Sequence, residues 1–145
     1  MVGSATQFSE VNVLASQTDW AWPRAVGELF RPRGVNLIVA RTPGEFVNVL
    51  THKHVQAMII DAGPQGIGPH GTGVQGSMAT VRIVRMDFPG LPCLVLADPA
   101  DQEVLTQALH LEVFSVIGKP VDLHILRRQL DRLFVRKYNS DIFSH

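Results

Sequence analysis

Five short apolar runs recur along the chain: VNVLAS (11–16), VNLIVA (35–40), AMIID (57–61), CLVLA (93–97) and VFSVIG (113–118). Each is rich in Val, Ile and Leu, with little of the polar alternation that a half-wet sheet imposes. Near-continuous apolar strands mark a sheet covered on both faces. Helical patterns separate the runs, so strand and helix alternate five times. The expected architecture is a five-stranded parallel sheet with right-handed crossovers and helices on both faces, a three-layer α/β/α domain.

The helix starts are readable. Thr42-Pro43-Gly44-Glu45 is a capping box with Pro at the first helical position, followed by Phe46, Val49 and Leu50 on one face. Asp98-Pro99-Ala100-Asp101 repeats the logic ahead of Val104, Leu105, Ala108 and Leu109, with Asp98 read as the cap. Further helices are expected from about Pro23 to Phe30 and from about Met78 to Met86. The last, over 122–137, sets Leu123, Leu126, Leu130, Leu133 and Phe134 on one stripe. The chain divides into an N-terminal tail (1–9), one domain (10–138) with a Gly-rich insertion (63–77), and a C-terminal tail (139–145).

Composition narrows the function classes. Thirteen basic and thirteen acidic residues give zero net charge, which argues against a protein built on bulk phosphate neutralisation. The single cysteine, Cys93, lies in an apolar run and reads as a small buried hydrophobe; one cysteine excludes a disulfide framework. No apolar run approaches the ~20 residues that span a bilayer, and no leader pattern opens the chain. A cytoplasmic location with no membrane contact is expected.

In open parallel sheets, function gathers at the carboxyl ends of the strands, near the topological switch point. The residues there are Ala15 and Ser16, then Asp61, then Ala97 and Asp98, and finally Gly118 and Lys119. Taken together, they resemble the receiver domain of two-component response regulators. AMIID aligns Asp61 with that family's phosphoacceptor, and VIGKP aligns Lys119-Pro120 with its Lys-Pro. The resemblance implies a flavodoxin-like fold with strand order 2-1-3-4-5 and a role in phosphorelay signal transduction.

The departures carry equal weight. The acidic pair of the family falls on Ala15 and Ser16, the Ser/Thr switch on Ala97, and the aromatic reporter on Val116. Gly63 falls where the family offers a backbone carbonyl to Mg²⁺, at the start of the Gly-rich loop. Mg²⁺ prefers octahedral oxygen ligands that include one or two carboxylates. With Asp61 and Gly63 alone, binding of the ion is expected to be weak or absent, and no other cofactor is implied. Metal stabilisation of phosphoryl transfer is worth several kcal/mol, and each ~1.4 kcal/mol is tenfold in rate. The chain is therefore read as an atypical receiver, not an enzyme beyond residual self-phosphorylation on Asp61. It would act mainly as a phosphorylation-independent interaction module. Asp61 and Lys119 are expected to pair with each other.

Two alternatives stay open: a receiver still phosphorylated on Asp61 by a histidine kinase, and a small-ligand or nucleotide sensor using the Gly-rich loop. Gly66-x-Gly68-x-x-Gly71 has dinucleotide-turn spacing, but Pro69 interrupts it and the first Gly stands five residues past Asp61. His52, His54 and His70 read as solvated loop histidines, and Asp19 as a loop or first-turn residue past the site. Arg128, Arg132 and Arg136 stand at i, i+4 and i+8 opposite the leucine stripe. They mark an exposed face for a protein partner or homodimer, made by the fourth helix, fifth strand and fifth helix. An attached effector domain is a further partner that the resemblance implies. Elements for direct nucleic-acid recognition are absent from the pattern.

Overall fold

Strand β1 (Val11–Ser16) lies between β2 (Val35–Ala40), at one edge of the parallel sheet, and the central strand β3 (Ala57–Asp61). β4 (Cys93–Ala97) and β5 (Ser115–Gly118) extend the sheet beyond β3, giving the order 2-1-3-4-5 with every pair parallel. This computed structural model describes residues 10–16, 22–62 and 73–145. The order and layering agree with the sequence reading.

Alternate residues along the strands feed two cores, as the period of a strand requires. Val13, Ala15, Ile59, Leu94, Leu96 and Ile117 face α1 (Trp22–Ala25), the turns after it, and α5 (Leu123–Tyr138). Leu14, Met58, Ile60, Cys93, Val95 and Ala97 face α2 (Pro43–His52), α3 (Gly73–Asp87) and α4 (Gln102–His110). β3 and β4 are buried along their whole length, which is why their sequences show no polar alternation. Burial also silences Cys93, whose thiol it pushes up to about 12, so the side chain is a packing group and not a nucleophile.

Local chemistry sets the helix ends. The Thr42 hydroxyl accepts from the Glu45 amide, while the Glu45 carboxylate reaches back to the Arg41 amide, a box that closes one residue earlier than usual. At α4 the cap is Asp101, which accepts from the Val104 amide. Asp98, read from sequence as the cap, instead accepts from the Ala100 amide in a tight turn. After α1 the helix widens into a π turn (Val26–Phe30), then tightens into a 3₁₀ turn (Arg31–Arg33). Gly34, at φ +71°, ends it in the left-handed region that favours glycine.

Three expectations need correction. α3 starts at Gly73, not near Met78, because glycine weakens a helix by about 1 kcal/mol without forbidding it. The buried row Met78, Val81 and Val84 anchors the helix from its middle. β5 starts at Ser115, since Glu112 turns the chain through positive φ and the Val113 amide still closes on α4 at Ala108. The residues 139–145 are not a loose tail. Asn139 ends α5 in the left-handed region, and Phe143 returns to the core with 0% exposure against Phe30 and Phe134. Arg127 donates to the Phe143 carbonyl at 2.7 Å, and the Tyr138 hydroxyl to the Gln56 carbonyl.

Candidate functional site

Asp61 is the last residue of β3, beside Leu96 of β4, and its side chain is 7% exposed. Lys119 follows β5 directly, its amide fixed to the Ala97 carbonyl at 2.9 Å. These two backbone placements bring the side chains together. The Lys119 ammonium donates to both carboxylate oxygens of Asp61, at 2.8 and 3.0 Å. The pairing expected from the sequence is present, and it engages both carboxylate oxygens at once.

The backbone of Asp61 is held as firmly as its side chain. Its amide donates to Ser16 Oγ at 2.8 Å, and its carbonyl accepts from Ser77 Oγ at 3.1 Å. Both serines are fully buried. Ser16, aligned with one of the missing acids, thus spends its oxygen on the Asp61 backbone. Ser77 was missed in the sequence reading, which assigned it to the insertion. A small hydroxyl just before a buried helical stripe was the available signal.

The other aligned positions are filled by packing. Ala15 lies in the core beneath α1 and α5, and Ala97 in the core beneath α2 to α4, both at 0% exposure. Val116 is half-buried against that second core. Gly118 lies under Pro99, where an added Cβ would come within 3.2 Å of the proline ring, so the β4–α4 loop is pressed onto the end of β5. Among the described residues, no group of three or more His, Cys, Asp or Glu lies close enough to share a metal ion.

Arg128, Arg132 and Arg136 are all exposed on α5, as is Leu109 of α4 at 79%, which the sequence pattern had set beside the buried Val104 and Ala108. His52 is exposed and its ring bonds the Asn48 carbonyl; His54 is exposed as well. Asp19, Gly63, Gly66, Gly68, His70 and Gly71 lie outside the described residues. No helix among the described residues is long and apolar enough to cross a membrane.

Comparison with known proteins agrees with this geometry. No family model matches the chain. A Rickettsia felis protein described as an NtrX-like response regulator is 21% identical over 141 residues, and a Rickettsia typhi protein of the same description matches equally. The alignment takes in 94% of this chain but 28% of those relatives, so the chain spans under a third of their length. Among solved structures, a CheY-like receiver domain protein from Methanospirillum hungatei superposes with a TM-score of 0.74 at 15% identity, covering 90% of this chain and 98% of that one. The signal receiver domain of an HD domain-containing protein from Pseudomonas fluorescens gives 0.74 at 15% identity, covering 90% and 99%. NtrX from Brucella abortus gives 0.70 at 13%, covering 87% and 27%. With the strand order, these matches give the chain the fold of CheY-like receiver domains, and its similarity in sequence is to NtrX-like response regulators.

Proposed function

We propose that this receiver domain works in a response regulator without routine phosphorylation, as an interaction module whose acceptor aspartate is tied down by its own lysine. The observation that carries the reading is the Asp61–Lys119 pair, with both carboxylate oxygens engaged. A carboxylate so engaged is a poor nucleophile, and exposing it means breaking the pair. The residues described do not fit Mg²⁺, since Ala15 and Ser16 replace the acids that would share the ion and both are buried. Ala97 has no hydroxyl to follow a phosphoryl group, and Val116 has no ring to swing. Signalling through this domain would then rest on which surface it offers, not on catalysis.

The surface we favour is formed by α4, β5 and α5. Ile125, Arg128, Arg132 and Val135 line one exposed side of α5, and Leu109 adds an apolar contact on α4. Apolar side chains around a guanidinium pair suit a protein surface that presents carboxylates. The greater length of the NtrX-like relatives supports an attached effector domain as one user of this surface. Sedimentation equilibrium tests the idea. Self-association or effector binding is expected to be the same with and without a small phosphodonor plus Mg²⁺, and to weaken at least tenfold in Leu109→Glu/Arg132→Glu. An association that appears only with the phosphodonor would overturn it and favour phosphorylation on Asp61.

A further inference from the structure

α3 is anchored along its length. Met78, Val81 and Val84 bury one side of it in the core, and the Ser77 hydroxyl donates to the Asp61 carbonyl. Near its end, the Arg85 guanidinium donates to the carbonyls of Pro89, Leu91 and Leu111. The opposite side is apolar as well. Ala79, Ile83 and Met86 stand at i, i+4 and i+7 and face solvent, Ile83 at 42% and Met86 at 74% exposure. Single exposed apolar residues are ordinary, but three on one stripe make a seam.

The spacing is that of the d, a and d positions of a heptad, the pattern by which one helix packs along another. In that register Arg82 takes a g position and Asp87 the following e position. Both are exposed, and neither belongs to an ion pair: among the described residues those are Arg24–Glu28 and Asp61–Lys119. In a parallel pair of helices, g of one faces the next e of the other. Arg82 then meets Asp87 of a second copy, twice by symmetry. An antiparallel pair would set Arg82 against Arg82 and Asp87 against Asp87, which repels.

We propose that two copies of this chain associate through α3, parallel about a twofold axis along the seam. Ile83 and Met86 pack on their counterparts, and Arg82 bridges to Asp87 of the other copy. The helix is already folded against the sheet, so the seam need not be long enough to fold it. Its short length sets a weak, concentration-dependent dimer, with a dissociation constant on the order of tens of micromolar. The contact uses none of the side chains of the α4–β5–α5 surface, which stays open to an effector.

Oxidative cross-linking of the full chain carrying Met86→Cys tests this. The native Cys93 is fully buried and does not compete. Equivalent d positions face each other in a parallel pair, within reach of a disulfide, whereas an antiparallel pair carries them to opposite ends of the seam. The expected result is a disulfide-linked dimer that forms about tenfold faster than from Asn48→Cys, an exposed position on α2. Arg82→Asp added to Met86→Cys should slow the linkage roughly fivefold, and adding Asp87→Arg as well should restore it. These exposed substitutions change stability little, so the rates report the contact and not the fold. The linkage should persist in Leu109→Glu/Arg132→Glu; its loss there would assign the contact to the α5 surface and overturn the proposal. A Met86→Cys chain that links no faster than Asn48→Cys would also overturn it, as would a swap of Arg82 and Asp87 that fails to recover the rate.

Discussion

Lys119→Ala is expected to destabilise the domain by about 3 kcal/mol, and by more than Asp61→Asn does. The asymmetry follows from burial. Asp61 is 7% exposed at the side chain and Lys119 is 30% exposed, so removing the lysine strands a charge away from water. Removing the carboxylate leaves an ammonium that still reaches solvent on a flexible stem, and a loss of about 1 kcal/mol is expected there. A double change to Asp61→Leu/Lys119→Met, which deletes both charges, should recover most of the loss. Urea unfolding of the four proteins checks the series. Equal losses in the two single variants, or losses below ~0.5 kcal/mol, would mean that the pair does not hold the loops.

Phe143→Ala should be as damaging, at about 3–5 kcal/mol, although it lies two residues from the last one in the sequence. The ring is fully buried, 5.0 Å from Phe134 and 6.0 Å from Phe30 between centroids, the latter edge-on. Its loss opens a cavity between the Phe30 and Phe134 rings. At roughly 2–4 °C per kcal/mol for a domain of this size, the melting temperature should fall by about 10 °C. Leu109→Ser, at a side chain 79% exposed, is the matched control and should change stability by less than about 0.5 kcal/mol. A Phe143→Ala protein that melts with the unaltered one would show that the segment is not part of the core.

What was legible in the sequence follows from how locally each feature is encoded. The strands could be read because β3 and β4 are buried on both faces, which forces unbroken apolar runs. The α5 stripe and the Thr42 box are periodic or positional signals of the same local kind. The meeting of Asp61 and Lys119 is not local, since 58 residues separate them, and it was reached through the family resemblance. The docking of Phe143 was missed because one aromatic in NSDIFSH carries no period. Only the gap between Phe30 and Phe134 explains it. The role of Ser77 was hidden for a related reason: nothing in a Gly-rich stretch says where the helix starts. The cap at α4 moved from Asp98 to Asp101 because two carboxylates three residues apart can each satisfy a turn, and sequence alone does not rank them.

The central claim is that Asp61 is a retained but disarmed acceptor, and intact mass spectrometry tests it most directly. The chain and its Asp61→Asn variant are incubated with excess acetyl phosphate and Mg²⁺, and sampled over hours. The expected result is no substantial gain of one phosphoryl mass in either protein, since a site without metal stabilisation would slow transfer by orders of magnitude. A stoichiometric gain in the unaltered chain that is missing from Asp61→Asn would contradict the account and restore Asp61 as a working phosphoacceptor.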